Sequence, residues 1–197
     1  MNFQGDRLHV DFYTDFLTQE EAVFLFEYIE KNVKWSGLIT NGKRVNQNYG
    51  DDGISYKLKF GGYGGKPVKI IERKVLPWDD LPILKIVRDK LSKLTNSKYN
   101  YCVIQRYPNG NVGINPHRDK EMLSGIDSNI AGISLGSTRT LTLSPPKNSQ
   151  TAFPIKLGLV PGSLYVLKYP TNEYWTHCIE KDPNIIGARI SLTFRLQ

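Results

Sequence analysis

The pattern of apolar and polar positions changes character near residue 99. Beyond it, seven short runs alternate or stay apolar between turn residues: "YNYCVIQRY", "NIAGISLG", "RTLTLS", "FPIKLG", "SLYVLKY", "YWTHCIE" and "ARISLTFRL". Such spacing predicts a set of short strands, hence a sandwich or a barrel, and a jelly roll is one way of closing it. Before residue 99 the pattern is mixed. After an extended "LHVDFY", the stretch "TQEEAVFLFEYIEKNV" has Thr18 and Glu21 at capping-box spacing and apolar residues at helical intervals, so it predicts a helix. A second helix is predicted over "LPILKIVRDKLSKL", with Ile83, Val87, Leu91 and Leu94 on one face. Residues 36–80 are rich in Gly, Asn, Asp and Lys with β-like runs such as "ISYKLKF", which predicts hairpins and loops. The expected fold class is therefore mainly β with flanking helices.

The last strand raises a question of its own. Alternation places Arg189, Ser191, Thr193 and Arg195 on one face and Ile190, Leu192, Phe194 and Leu196 on the other. An amphipathic strand with its polar face in water fits this pattern. A polar face turned into a barrel fits it too, but buried guanidinium groups then need a partner, because an unpaired buried charge is costly. A dicarboxylate would serve, since arginine grips carboxylate through two parallel hydrogen bonds.

At 197 residues, 40% hydrophobic and 23% charged, the chain has globular composition and the length of one domain. No apolar run approaches the roughly 20 residues that span a bilayer, and the N-terminus lacks the apolar core of a secretory signal. A soluble, intracellular protein without a membrane partner is expected. Cys102 and Cys178 are too few for a disulfide framework and read as buried fillers. The net charge of +7 is unevenly spread: residues 34–106 carry 15 Lys/Arg against 6 Asp/Glu, whereas residues 1–33 carry 2 against 7. A basic middle suits an anionic partner such as nucleic acid, and equally a lysine-rich solvated surface.

Candidate chemistry centres on "GINPHRDKEM". In an extended segment His117 and Asp119 point to the same side, and His177 follows in "EYWTHCIE". Two histidines and a carboxylate are the facial triad of non-haem Fe(II) oxygenases, which leaves positions open for a chelating cosubstrate and O₂. The His-x-Asp pair alone also fits two loop residues bonded to each other. Of three histidines, His9 is the one left as structural.

Taken together, "YCVIQRYPNGNVGINPHRDKE", "SLGSTRTLTL", "GSLYVLKYPTNEYWTHCI" and "RISLTFR" closely resemble, in order and spacing, the AlkB family of Fe(II)/2-oxoglutarate-dependent dioxygenases. Upstream, "KRVNQNYGDDGISYKL" resembles that family's nucleotide-recognition segment, so the likeness runs over about residues 40–196. The resemblance implies a double-stranded β-helix (jelly roll) core behind an N-terminal helix and a hairpin nucleotide-recognition lid. One domain is expected over residues 1–197, with an N-terminal extension and lid in 1–98 and the catalytic core in 99–197.

Site roles follow from the same resemblance. His117, Asp119 and His177 match the iron ligands. Arg189 matches the arginine that holds the distal carboxylate of 2-oxoglutarate, and Arg195 the second arginine near its keto-acid end. Thr193 lies between them, and Tyr107 matches a tyrosine that hydrogen-bonds the cosubstrate. Gln105 and Ser191 depart from the family's usual asparagines but stay polar. Arg44 and Tyr56 match positions lining or flanking the base pocket, and Glu121 matches an acidic residue at the base edge. Leu58 departs from the aromatic residue of duplex-preferring relatives, and Trp35 either inserts into a base stack or caps the helix end.

The implied reaction uses Fe(II), 2-oxoglutarate and O₂ to hydroxylate an N-methyl group on a base of DNA or RNA, releasing formaldehyde, succinate and CO₂. A monomer is expected. Two alternatives stay open: a 2-oxoglutarate-dependent hydroxylase of a protein or small molecule, and a non-catalytic nucleic-acid-binding relative.

Overall fold

The computed structural model describes residues 1–35, 44–60, 69–120, 125, 129–147, 149 and 152–197, with residues 58–60 and 69 described through their backbone. In chain order its first half holds β1 (Asn2–Gly5), β2 (Leu8–Tyr13), α1 (Gln19–Asn32), β3 (Val45–Gly50), β4 (Ser55–Phe60), β5 (Lys69–Lys74), β6 (Leu76–Pro77) and α2 (Ile83–Thr95). Its second half holds β7 (Tyr101–Tyr107), β8 (Ile114–His117), β9 (Ile130–Gly136), β10 (Arg139–Ser144), β11 (Ile155–Leu159), β12 (Leu164–Leu167), α3 (Thr171–Tyr174), β13 (Thr176–Ile179) and β14 (Arg189–Arg195).

The helices begin and end as local chemistry dictates. Glu21 N donates to Thr18 Oγ1 (3.2 Å) and Thr18 N donates to Glu21 Oε2 (2.9 Å), completing the capping box of α1. Ala22, Leu25 and Ile29 form its buried stripe. Helix α2 stops where Asn96 turns left-handed, with φ 49°. Its inward face is Leu84, Val87 and Leu91. This corrects the expected face: Ile83 packs only at its flank, and Leu94, in the last turn, is 46% exposed.

Strand pairing yields a large sheet in the order β1-β2-β12-β9-β14-β7-β3-β6 and a smaller one in the order β11-β10-β13-β8, with β4 and β5 paired apart. Alternation divides the large sheet's side chains between two cores. Leu164 and Val166 of β12 join Leu25, Ile29, Leu84 and Leu91 beneath the helices. Tyr165 and Leu167 of the same strand join Leu141, Leu143 and Leu157 between the sheets. Helices on one face and a second sheet on the other make the jelly-roll layering expected from the resemblance. Within residues 1–98, β1, β2, β3 and β6 are strands of the large sheet. Cys102 is buried as expected, but Cys178 is only half-buried, because β13 turns His177 and Ile179 inward and Cys178 outward.

Candidate metal and cosubstrate site

Strand register, not sequence proximity, brings the two histidines together. Antiparallel pairing of β13 with β8 sets His177 directly opposite His117, and their rings lie 4.3 Å apart. Asp119 follows just beyond β8. Its Oδ1 lies 3.4 Å from His117 Nε2 and 3.8 Å from His177 Nε2, and ligand atoms of all three residues fall within 4.8 Å of one another. Atoms that share one ion at about 2 Å each need this proximity. The carbonyl of Asn115, 3.0 Å from His117 Nδ1, assigns the ring proton to Nδ1 and leaves the Nε2 lone pair for a metal.

The protonation states suit metal binding. Burial pushes His177 down to about 4 against the upward pull of Asp119, so the ring is neutral near pH 7. Burial alone would raise Asp119, but the Arg195 guanidinium and then His117 hold it well below the usual carboxylate range. The triad thus offers a neutral imidazole at His177 and an ionised carboxylate at Asp119, with the His117 ring beside them.

The arginine face of β14 resolves the question posed by its alternation. β14 pairs with β7 and β9 on its two edges, and all seven of its residues are buried. Ile190, Leu192 and Phe194 pack under the helices, which turns Arg189, Ser191, Thr193 and Arg195 into the space between the sheets. A solvent-facing amphipathic strand is therefore excluded. Arg189 Nε donates to Ser134 Oγ (2.8 Å) and Nη2 to Ser191 Oγ (3.3 Å), while Nη1 is buried with no acceptor among the described residues. Arg195 Nη2 pairs with Asp119 Oδ2 at 2.8 Å, and its Nε also lacks an acceptor among the described residues. Tyr107 OH donates to Gln105 Oε1 (3.0 Å), and the Arg189 guanidinium lies over the Tyr107 ring at 5.2 Å.

These groups line a single cavity, with the triad, Gln105, Tyr107 and the β14 row in its wall. Buried donors without acceptors are costly, and a carboxylate is the anion whose two oxygens match a guanidinium edge. The donor set therefore fits both groups: a divalent ion on His117, Asp119 and His177, and a dicarboxylate reaching Arg189.

The other predicted residues divide. Arg44 Nη1 donates to Gly113 O (3.3 Å), and its guanidinium lies 5.5 Å from the Tyr107 ring, beside the cavity wall. Tyr56 is buried in β4. Trp35 is half-buried, its side chain packed against the helix-side core. Leu58 is known through its backbone in β4, and Glu121 lies outside the described residues.

Sequence reasoning missed Tyr165, Ser134 and Gly132. Tyr165 lines the cavity and pairs directly across from Gly132, where a Cβ would run into the Tyr165 ring. The signal was alternation in "IAGISLG", which puts the small Gly132 and Ser134 on one face. What they make room for depends on strand pairing.

Two imidazoles and a carboxylate at one point of a jelly roll, beside a buried arginine whose Nη1 has no acceptor among the described residues, are the arrangement of oxygenases that use Fe(II) with a 2-oxo acid. The model of the 2OG-Fe(II) oxygenase superfamily matches residues 9–195. The chain belongs to that superfamily and, within it, to the AlkB family. It is 32% identical over 199 residues to the DNA oxidative demethylase ALKBH2 of Bos taurus, covering 93% of this chain and 67% of that one. Against ALKBH2 of Homo sapiens identity is 31%, over 93% and 71% of the two chains. The alpha-ketoglutarate-dependent dioxygenase alkB homolog 3 of Mus musculus is 25% identical, over 93% and 64%. Among solved structures, OsALKBH1 superposes with a TM-score of 0.59 at 15% identity, over 98% of this chain and 100% of that one. A prolyl-4-hydroxylase of Pseudomonas putida gives 0.55 at 14%, over 95% and 92%. These two likenesses concern the fold alone.

Proposed function

We propose that the chain is an oxidative demethylase of N-alkylated bases in DNA, acting as an intracellular monomer built as a single domain. The observation that carries the reaction type is the buried Arg189 Nη1, without an acceptor among the described residues, in the same cavity wall as His117, Asp119 and His177. The choice of DNA is supported by relatives named DNA oxidative demethylase that align over 93% of the chain. The basic middle of the sequence supports it too. Among the described residues no helix is long and apolar enough to cross a membrane.

When bound, Fe(II) with 2-oxoglutarate and O₂ supplies the oxidising power for hydroxylating an N-methyl group, with succinate and CO₂ as by-products. The hydroxymethyl group then leaves as formaldehyde. The chain's own residues bind and orient. Arg189, held by Ser134 and Ser191, receives the distal carboxylate, and Arg195 keeps Asp119 ionised and aimed. Gln105, Tyr107 and Thr193 complete the cosubstrate wall, and His117 and His177 present ring nitrogens. No side chain acts as a nucleophile.

A base must leave the duplex to reach such a cavity, at a cost of a few kcal/mol, while cations grip phosphates. Exposed Lys57, Arg73 and Lys74 on β4 and β5 are suited to that grip, with Arg44, Tyr56, Leu58 and Glu121 toward the base. The test is mass spectrometry of matched DNA and RNA oligonucleotides, each carrying one N-methylated base, after incubation with Fe(II), ascorbate and 2-oxoglutarate. Loss of the methyl group from the DNA strand is the expected result. Its retention in both strands would refute the proposal.

A further inference from the structure

Asp119 lies past the end of β8, and its main chain is held by a side chain. Asp119 N donates to Asn172 Oδ1 (2.9 Å), and Asn172 Nδ2 donates back to Asp119 O (2.9 Å). A carboxamide carries one acceptor and one donor group side by side, so it can serve one residue's N–H and C=O together as an adjacent strand would. The adjoining residue ties the same loop again: Arg118 Nη1 donates to Glu173 O (2.5 Å).

The element on the other side of these bonds is itself fixed. Thr171 is fully buried, and its hydroxyl makes the same kind of two-way pair with β2: His9 N donates to Thr171 Oγ1 (2.8 Å), and Thr171 Oγ1 donates to His9 O (3.0 Å). Trp175, buried at the end of α3, donates from Nε1 to Asp6 O (3.0 Å). Helix α3 leads directly into β13 and His177. Thr171 and Asn172 therefore face two ways, one onto the large sheet and one onto the metal loop.

We propose that Asn172 is a positioning residue of the metal site. It carries the fixed placement of α3 on β2 to the backbone of Asp119, and so sets that carboxylate against His177 before an ion arrives. Preorganising a ligand through its supporting contacts raises metal affinity, because the ordering is done during folding rather than on binding. This inference rests on the metal-site reading.

The test compares wild type with Asn172→Asp and Asn172→Ala in the full-length chain, by Co(II) titration followed through visible absorption. Asn172→Asp keeps the shape but removes the donor and sets a carboxylate oxygen against Asp119 O. Asn172→Ala removes both bonds. The expected result is a rise in Co(II) Kd on the order of tenfold or more in both variants, with a changed cobalt spectrum, at a temperature where circular dichroism reports folded protein. A stabilising role alone would lower the melting temperature and leave affinity and spectrum as they are. Should Asn172→Ala fail to fold, Asn172→Asp supplies the same readout. Unchanged affinity and spectrum in a folded variant would overturn the proposal. Co(II) binding by wild type reports on the metal site itself, and the ratio of variant to wild type reports on Asn172.

Discussion

Arg195 holds one oxygen of Asp119 and leaves the other to the histidines. Its Nη2 is 2.8 Å from Oδ2, while Oδ1 faces Nε2 of His117 and His177 at 3.4 and 3.8 Å. One carboxylate thus has one oxygen anchored by Arg195 and the other turned toward the two histidines. Arg195 belongs to the last strand and Asp119 to the loop after β8, so the contact bridges the two sheets. Removing a single partner of a buried pair leaves an uncompensated charge and costs about 3–5 kcal/mol. Arg195→Met should lower the unfolding free energy of the metal-free protein by that amount in urea denaturation. A variant as stable as wild type would contradict the pairing.

Arg189 has a different task, because its Nη1 is buried without an acceptor among the described residues. Hydrogen bonds to charged groups are worth about 1.5–3 kcal/mol each, which is roughly 10- to 100-fold in affinity. Arg189→Ala should weaken 2-oxoglutarate binding by that factor in calorimetry and leave oligonucleotide binding near wild type. Equal loss of both would count against the assignment.

Gly132 leaves room for an aromatic ring rather than for a turn. A Cβ there would collide with Tyr165, which lines the cavity beside the triad. Overpacking of this kind costs about 1–3 kcal/mol. Gly132→Ala should lower the melting temperature and weaken 2-oxoglutarate binding together, since the displaced ring moves into or out of the cavity wall. Loss of stability with full cosubstrate affinity would show that Tyr165 has somewhere else to go.

Alkaline pH should destabilise the fold through two buried phenols. Burial pushes Tyr49 and Tyr165 up to about 12 from an ordinary value of 10.0. The unfolded chain therefore releases these protons first as pH rises. Stability from keeping both neutral is fully present below pH 10 and is lost as pH climbs through about 12. Denaturation midpoints should fall across that window, and part of the tyrosinate absorbance should appear only with unfolding. Full tyrosinate absorbance near pH 10 in a folded protein would contradict this.

Much of this site was legible in the chain because it depends on local periodicity. The two-residue repeat put His117 beside Asp119 and lined Arg189, Ser191, Thr193 and Arg195 along one face. It could not say whether that face met water, since the answer depends on β7 and β9 flanking the strand. What Ser134 and Tyr165 do was hidden for the same reason: Ser134 meets Arg189 across the β9–β14 pairing, and Tyr165 enters the cavity wall opposite Gly132 of β9, strands distant in sequence. The burial of Leu84 in place of Leu94 turns on how α2 lies over the sheet, which a face drawn from helical spacing does not contain. Trp35 illustrates a different limit, because sequence alone did not say that its ring packs against the helix-side core.

The central claim is that one cavity couples cosubstrate oxidation to demethylation of DNA. It is tested most directly by measuring formaldehyde and succinate together, with Fe(II), ascorbate and 2-oxoglutarate, on a methylated DNA oligonucleotide and on its unmethylated counterpart. Equal yields of the two products on the methylated strand are expected, with formaldehyde absent on the unmethylated one. His177→Ala should abolish both products while oligonucleotide binding persists. Succinate without formaldehyde on the methylated strand, or formaldehyde made equally well by His177→Ala, would contradict the account.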